Sequence, residues 1–394
     1  MTRTEAPPAA PDFSLVLGGP LYQMFVRSHL SGTTLELLRR RVLVFAAITW
    51  LPLLLLSAVT GALYQGSRLP FLIDFETHVR FLVALPLLIY GELIVHTRLR
   101  GVVESFITRS IVIPEELSKF RAAIASSMKL RNSVIVEIGL LILAYSLGHW
   151  IWRNELALGT ATWYAATEGA NLAVTLPGYW YEFVSIPLAQ FILLRWYFRI
   201  INWTWLLWRF SRLKLKLRPT HPDRAGGLGF LGRSTYAFVP ILFAQGALLS
   251  GVIANRILYQ GASLLSFKMT IATLVGFLVV VNLGPLLFFI PALAQAKRRG
   301  LSEYGALAAT YSEDFDNKWV KGGNKDEALL GTSDIQSLAD LGNSYAVVRE
   351  MQVVPFNRND VILLVVATVI PLLPLLLTVI PLDELLKHIV TAIL

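Results

Sequence analysis

The stretch Phe183–Trp208, FVSIPLAQFILLRWYFRIINWTWLLW, is long and apolar enough to cross a bilayer, yet it carries Arg195 and Arg199 near its middle. On a helix of 3.6 residues per turn, Arg195, Arg199, Asn202 and Arg209 share one stripe, with Leu206 as its apolar member. A charged side chain at the centre of a bilayer costs at least about 2.5–3.5 kcal/mol. Such residues face a protein interior or a watery cavity and take partners there. The stretch therefore predicts a membrane protein with a polar interior.

The rest of the chain agrees. Of its 394 residues 55% are hydrophobic and 15% charged, against about 25% charged in soluble domains. The mean hydropathy is +0.59. Apolar residues gather in blocks of about twenty, the length that crosses roughly 30 Å of hydrocarbon. Seven blocks read as spanning helices, at 42–64, 79–95, 133–152, 183–208, 235–255, 269–294 and 361–380. The expected fold class is all-α, a polytopic integral membrane protein with about seven transmembrane helices and amphipathic cytoplasmic helices.

Lysine and arginine set the expected orientation. Segments 1–41, 96–132, 209–234 and 297–360 hold 27 of the 35, and segments 65–78, 153–182, 256–268 and 381–394 hold 5. That alternation predicts the first set inside, with the N-terminus in and the C-terminus out. The net charge of +9 then reflects topology and contact with anionic membrane lipids, and nucleic-acid binding is not expected. No cysteine is present, which excludes disulfides, thiolate metal sites and cysteine nucleophiles. The first 41 residues lack a signal-peptide h-region, so the first block is expected to be an uncleaved anchor in a bacterial-type inner (plasma) membrane.

Four regions follow. Residues 1–41 form a cytoplasmic segment with an interfacial helix after Gly18-Gly19-Pro20, and 1–12 are expected to be disordered. Residues 42–294 form a six-helix membrane region with a helical loop at 96–132 and a basic loop at 209–234. Residues 295–360 form a cytoplasmic helical region, and 361–394 add the seventh span and an external amphipathic helix opened by Pro381. In the 96–132 loop, Pro114 opens a helix whose apolar stripe is Leu117, Phe120, Ile124 and Met128. In the 295–360 region, one helix carries Tyr304 to Trp319. A second starts at Ser333, with Gln336 in the capping-box position, and stops before Pro355. The two are expected to pack together, joined by the turn Gly322–Asp326.

Four constellations could carry chemistry. Glu92 and Glu137 lie at depths related to those of Arg199 and Arg195, which predicts ion pairs between helices. These fit either a network that fixes helix packing, snorkelling arginines, or a positive constriction in a permeation path. Asn282-Leu283-Gly284-Pro285 breaks the sixth span near its midpoint, with Gln245 at similar depth on the fifth. This is either a simple kink or a substrate site of the broken-helix kind. The run His221-Pro222-Asp223-Arg224-Ala225-Gly226-Gly227-Leu228-Gly229 could hold a phosphate or lipid head group, or be a tight loop capped by Asp223. Just upstream, Arg212, Lys214, Lys216 and Arg218 alternate with leucines, which predicts an extended segment with one basic face for anionic head groups. The aromatic-rich loop 153–182 is expected to anchor at the outer interface, with Gly169–Leu176 as a candidate re-entrant piece. The histidines are scattered, so no metal site is expected and no cofactor is implied.

The leading expectation is a homo-oligomeric ion channel or passive transporter with an anion preference, its positive constriction on the fourth span. Two alternatives stand beside it. One is a membrane-bound lipid- or phosphate-handling enzyme using His221–Gly229. The other is a signalling or assembly subunit whose cytoplasmic helices dock a soluble partner.

Overall fold

Helices are the form in which an apolar block satisfies its own backbone without water, and the seven blocks adopt it. The computed structural model describes residues 13–27, 38–65, 68–151, 154, 161–168, 171–321 and 331–378. Among them, seven helices are long and apolar enough to cross a membrane: Leu38–Val59, Phe75–Thr108, Val134–Ile151, Leu176–Ser211, Gly229–Gln260, Leu264–Lys321 and Arg358–Thr378. The chain is mostly helical and has the build of a multi-pass membrane protein. Successive spans run in opposite directions, so the loops collect on two faces, one rich in Lys and Arg and one poor.

The second, fourth and fifth spans form the centre, each with about half of its most apolar window buried. The third span is the opposite case: 6% of that window is buried, and most of its side chains look outward. Close approaches depend on missing side chains. A Cβ on Gly246 would sit 2.0 Å from the Thr368 carbonyl oxygen, so spans five and seven touch backbone to backbone there. A Cβ on Gly178 would sit 2.1 Å from the Tyr164 carbonyl oxygen.

Several expectations are adjusted. The spans extend past the apolar blocks, most of all the sixth, whose helix continues through Ile290–Phe315 beyond any bilayer thickness. It packs on the helix Ser333–Glu350, the pairing expected for this region. The N-cap of that second helix is Thr332, one residue before Ser333. A capping box forms instead at Asn357 and Asp360, where the seventh span begins. The helix at Pro114 starts with a tight 3-10 turn and continues as Leu117–Arg131, burying Phe120 and Ile124 as its stripe requires. The chain is not wholly helical: Ala165–Glu168 pairs antiparallel with Asn171–Val174. That hairpin takes the place of the re-entrant piece, because strands this short satisfy their backbone by pairing with each other. The helix expected after Gly18-Gly19-Pro20 is Pro20–Arg27. The expectations of a disordered start, a turn at Gly322–Asp326 and an external helix after Pro381 fall outside the described residues.

Candidate functional site: a charged layer beneath an apolar chamber

The predicted acids and bases meet, and an unexpected arginine joins them. Glu92 on span two lies between two guanidiniums: its Oε1 is 2.8 Å from Arg199 Nη2 and its Oε2 is 2.6 Å from Arg41 Nη2. Glu137 on span three pairs with Arg195 at 3.0 Å through Oε1. Its Oε2 accepts the Leu21 amide at 2.8 Å, so the same carboxylate caps the helix Pro20–Arg27. Asn202 exchanges two hydrogen bonds with Ser127, from Nδ2 to the Ser127 carbonyl and from the Ser127 hydroxyl to Oδ1. Arg199 also lies 4.7 Å from the Trp196 ring centre. All of Arg41, Arg195, Arg199, Glu92 and Asn202 are buried. Every span from the first to the fourth contributes, and the layer lies toward the Lys/Arg-rich face.

Arg41 reads in sequence as one of three flanking arginines. Its phase on the helix says otherwise. Leu38, Arg41, Phe45, Thr49, Leu53 and Ser57 are the buried positions of the first span, at helical spacing. Arg39 and Arg40 fall off that stripe and are exposed. In an apolar span the polar positions mark the inward face, and Arg41, Thr49 and Ser57 share one.

One helical turn from this layer lies a chamber of about 840 Å³. Its floor comes from spans two, four and five, with Ala84, Leu88, Ala189, Leu193 and Leu248. Span three forms one wall, with Leu143 and Leu147. The start of span six forms the other, with Thr273 and Phe277. Neither Arg195 nor Arg199 lines it. Few polar groups do. Span three turns in a wider π-helical form over Ala144–Gly148, which leaves a carbonyl available. Gln190 Nε2 donates to the Gly148 carbonyl at 2.7 Å. The other amide atom, Gln190 Oε1, is buried with no hydrogen-bond partner among the described residues. Gln245 donates to the Tyr197 hydroxyl at 2.6 Å, and Gln245 also lines the chamber.

At the Lys/Arg-poor face, Asp74 anchors a knot that sequence reading missed. The carboxylate accepts from the Thr77 amide and hydroxyl, from Trp163 Nε1 at 2.8 Å and from Asn255 Nδ2 at 2.8 Å. Beside it, Arg80 pairs with Glu76 and donates to the Tyr181 hydroxyl at 2.8 Å. The partners are scattered along the chain, so no local motif announces them. Arg80 of this knot is also a lining residue of the chamber.

The remaining predicted residues are accounted for as follows. Asn282 donates to the Leu278 carbonyl of its own helix at 2.8 Å and does not reach across to Gln245. The break itself is real: the helix ends at Leu283, and Gly284–Phe289 is a 3-10 segment. In the His221 loop, Asp223 accepts from the amides of Ala225, Gly227 and Gly229 at 2.9, 3.0 and 2.9 Å. Arg224, Gly226 and Gly227 have φ of +53°, +63° and +99°, the curled backbone that makes an anion nest. Asp223 fills that nest. Burial pushes the carboxyl up, but the three amides and His221 outweigh it and hold its pKa below the ordinary value of 3.8. Arg224 bridges to Glu350 at 3.0 Å, and its carbonyl accepts the Gln352 amide at 2.6 Å, which ties the loop to the end of the helix Ser333–Glu350. The basic stretch is extended, pairs with Val112 through Leu215, and exposes Arg212, Lys214, Lys216 and Arg218 while Leu217 is buried.

These features define a multi-pass membrane protein with a closed charge layer and an apolar chamber. Comparison with protein families, with curated proteins and with solved structures gives no match for the chain.

Proposed function

We propose that the protein is a passive membrane transporter whose substrate is apolar or amphipathic. The observation that carries this reading is the chamber of about 840 Å³ that ends one turn from the arginine–carboxylate layer. Its size and lining suit a small-molecule site: mostly aliphatic walls with a few amides and hydroxyls to orient the ligand. Gln190 Oε1 offers one unused acceptor. The charge layer is then the closed gate, and the broken sixth span beside the chamber wall is the hinge. A constriction selective for anions needs a guanidinium with charge to spare in a water path. Arg195 and Arg199 each face a carboxylate instead, which favours an apolar substrate over an ion. The Lys/Arg-rich face is assigned to the cytoplasm by the positive-inside rule, so the N-terminus is inside and the chamber opens to the outer leaflet.

The test is transfer of a fluorescent lysophospholipid across proteoliposomes, read by quenching from one side. Wild-type protein should speed transfer over protein-free vesicles. Ala189→Trp, which fills the chamber, should abolish the gain while the protein still assembles. Transfer no faster than in empty vesicles, or unaffected by Ala189→Trp, would remove the proposal.

A further inference from the structure

A second cavity, of about 390 Å³, opens on the Lys/Arg-rich face, where three spans converge. Arg98 comes from the end of span two, Gly229, Gly232, Arg233 and Tyr236 from the start of span five, and Asn357 and Asp360 from the start of span seven. Its chemistry is opposite to that of the chamber, since its walls are mainly polar. Asp360 is buried and already committed: it caps its own helix by accepting the Asn357 amide at 2.8 Å, and Tyr236 approaches it. Gly232 makes room, because a Cβ there would lie 2.9 Å from Asp360 Oδ2. The two arginines are different. Arg98 stands 6.0 Å from the Tyr236 ring centre, and neither it nor Arg233 has an ion pair or hydrogen bond among the described residues. Elsewhere in the molecule buried arginines are matched by carboxylates. Here two exposed guanidiniums flank a polar cavity whose one carboxylate is turned to a helix end.

A guanidinium fork fits the oxygens of a phosphate in pairs, and two forks around one cavity fit a phosphate better than a lone carboxylate. The surroundings favour a lipid as its source. Next to the cavity, and sharing Asn357 with it, runs a shallower groove lined by Val354, Phe356, Val361 and Ile362 together with Gln352 and Arg358. It follows the first turns of span seven, where the chain enters the apolar layer. We infer that Arg98 and Arg233 bind a phosphoryl oxyanion, presented by an anionic phospholipid whose acyl chain begins along Val354, Phe356, Val361 and Ile362. The site is separate from the chamber and touches the His221 loop only at Gly229, while the nest of that loop is filled by Asp223.

The experiment is native mass spectrometry of the full chain in neutral detergent, titrated with phosphatidylglycerol, phosphatidylcholine or inorganic phosphate. Wild type should retain phosphatidylglycerol, and the exposed pair Arg98→Gln/Arg233→Gln should bind it about tenfold more weakly, the loss of one charge-assisted contact set. Arg121→Gln/Lys129→Gln, exposed on the same face, should bind as wild type does. Equal weakening in both double variants would mean a diffuse basic surface and overturn the site. Retention of phosphatidylcholine as strong as that of phosphatidylglycerol would overturn it as well. Competition by millimolar inorganic phosphate with no preference for lipid would overturn the lipid as source.

Discussion

Glu92 is the residue on which the interior turns, because one carboxylate serves two arginines, Arg41 and Arg199. Removing a shared partner is worse than removing either of the groups it serves. Glu92→Gln leaves two buried guanidiniums facing each other without a counter-charge, and should cost about 3–5 kcal/mol. Arg41→Met leaves the Arg199 pair intact and should cost distinctly less. Thermal unfolding in detergent, with both variants measured beside wild type, checks the order. The reverse order would mean that Arg41, not Glu92, holds the layer. At this scale the sequence was informative about type and poor about identity. Four of the five charges of the layer are visible as polar intrusions in apolar blocks. Arg41 is hidden in the run Arg39-Arg40-Arg41, where only helical phase separates it from its exposed neighbours. Asp74 is hidden for another reason: Trp163 and Asn255 reach it from 89 and 181 residues away.

Elements differ in what fixes them. Spans two, four and five are held by burial, whereas span seven rests on span five through a backbone contact at Gly246. Gly246→Val must displace the Thr368 carbonyl and should cost roughly 2–4 kcal/mol, in the range of overpacked and strained cores. Gly276→Ala, on the exposed side of span six with nothing within 4 Å, should be neutral or slightly stabilising. The midpoints of denaturation for the two variants test the contrast. Span count and the two helices of the 295–360 region were legible because apolar blocks and helical stripes are local patterns. Boundaries were not, since a helix continues into water as long as something packs on it. The helix Ile290–Phe315 does so because Ser333–Glu350 lies against it.

Across the whole molecule, three layers are stacked from one face to the other: the Asp74 knot, the apolar chamber and the Arg–Glu layer. This order gives the proposed transporter a single open side, and orientation decides which leaflet it serves. The chain has no cysteine, so single substitutions report cleanly. With the Lys/Arg-rich face inside, a membrane-impermeant maleimide added to intact cells should label Leu265→Cys and spare Ser126→Cys until the membrane is opened. Both positions are exposed. The opposite pattern would invert the topology and move the chamber to the inner leaflet. The stacking itself could not be read from sequence. It depends on which faces of the spans meet, and a chamber is defined by side chains that leave space.

The double grip on Glu92 also bears on how the chain is made. Arg41 precedes Glu92, and Arg199 follows it by 107 residues. A ribosome delivers spans one and two long before span four, so the carboxylate meets its first partner while most of the protein does not yet exist. The opening hairpin can thus enter the lipid carrying its own counter-ion. Arg199 arrives later and locks a pair that has already crossed the costly step, so biogenesis would lean on Arg41 even where the finished structure leans on Glu92.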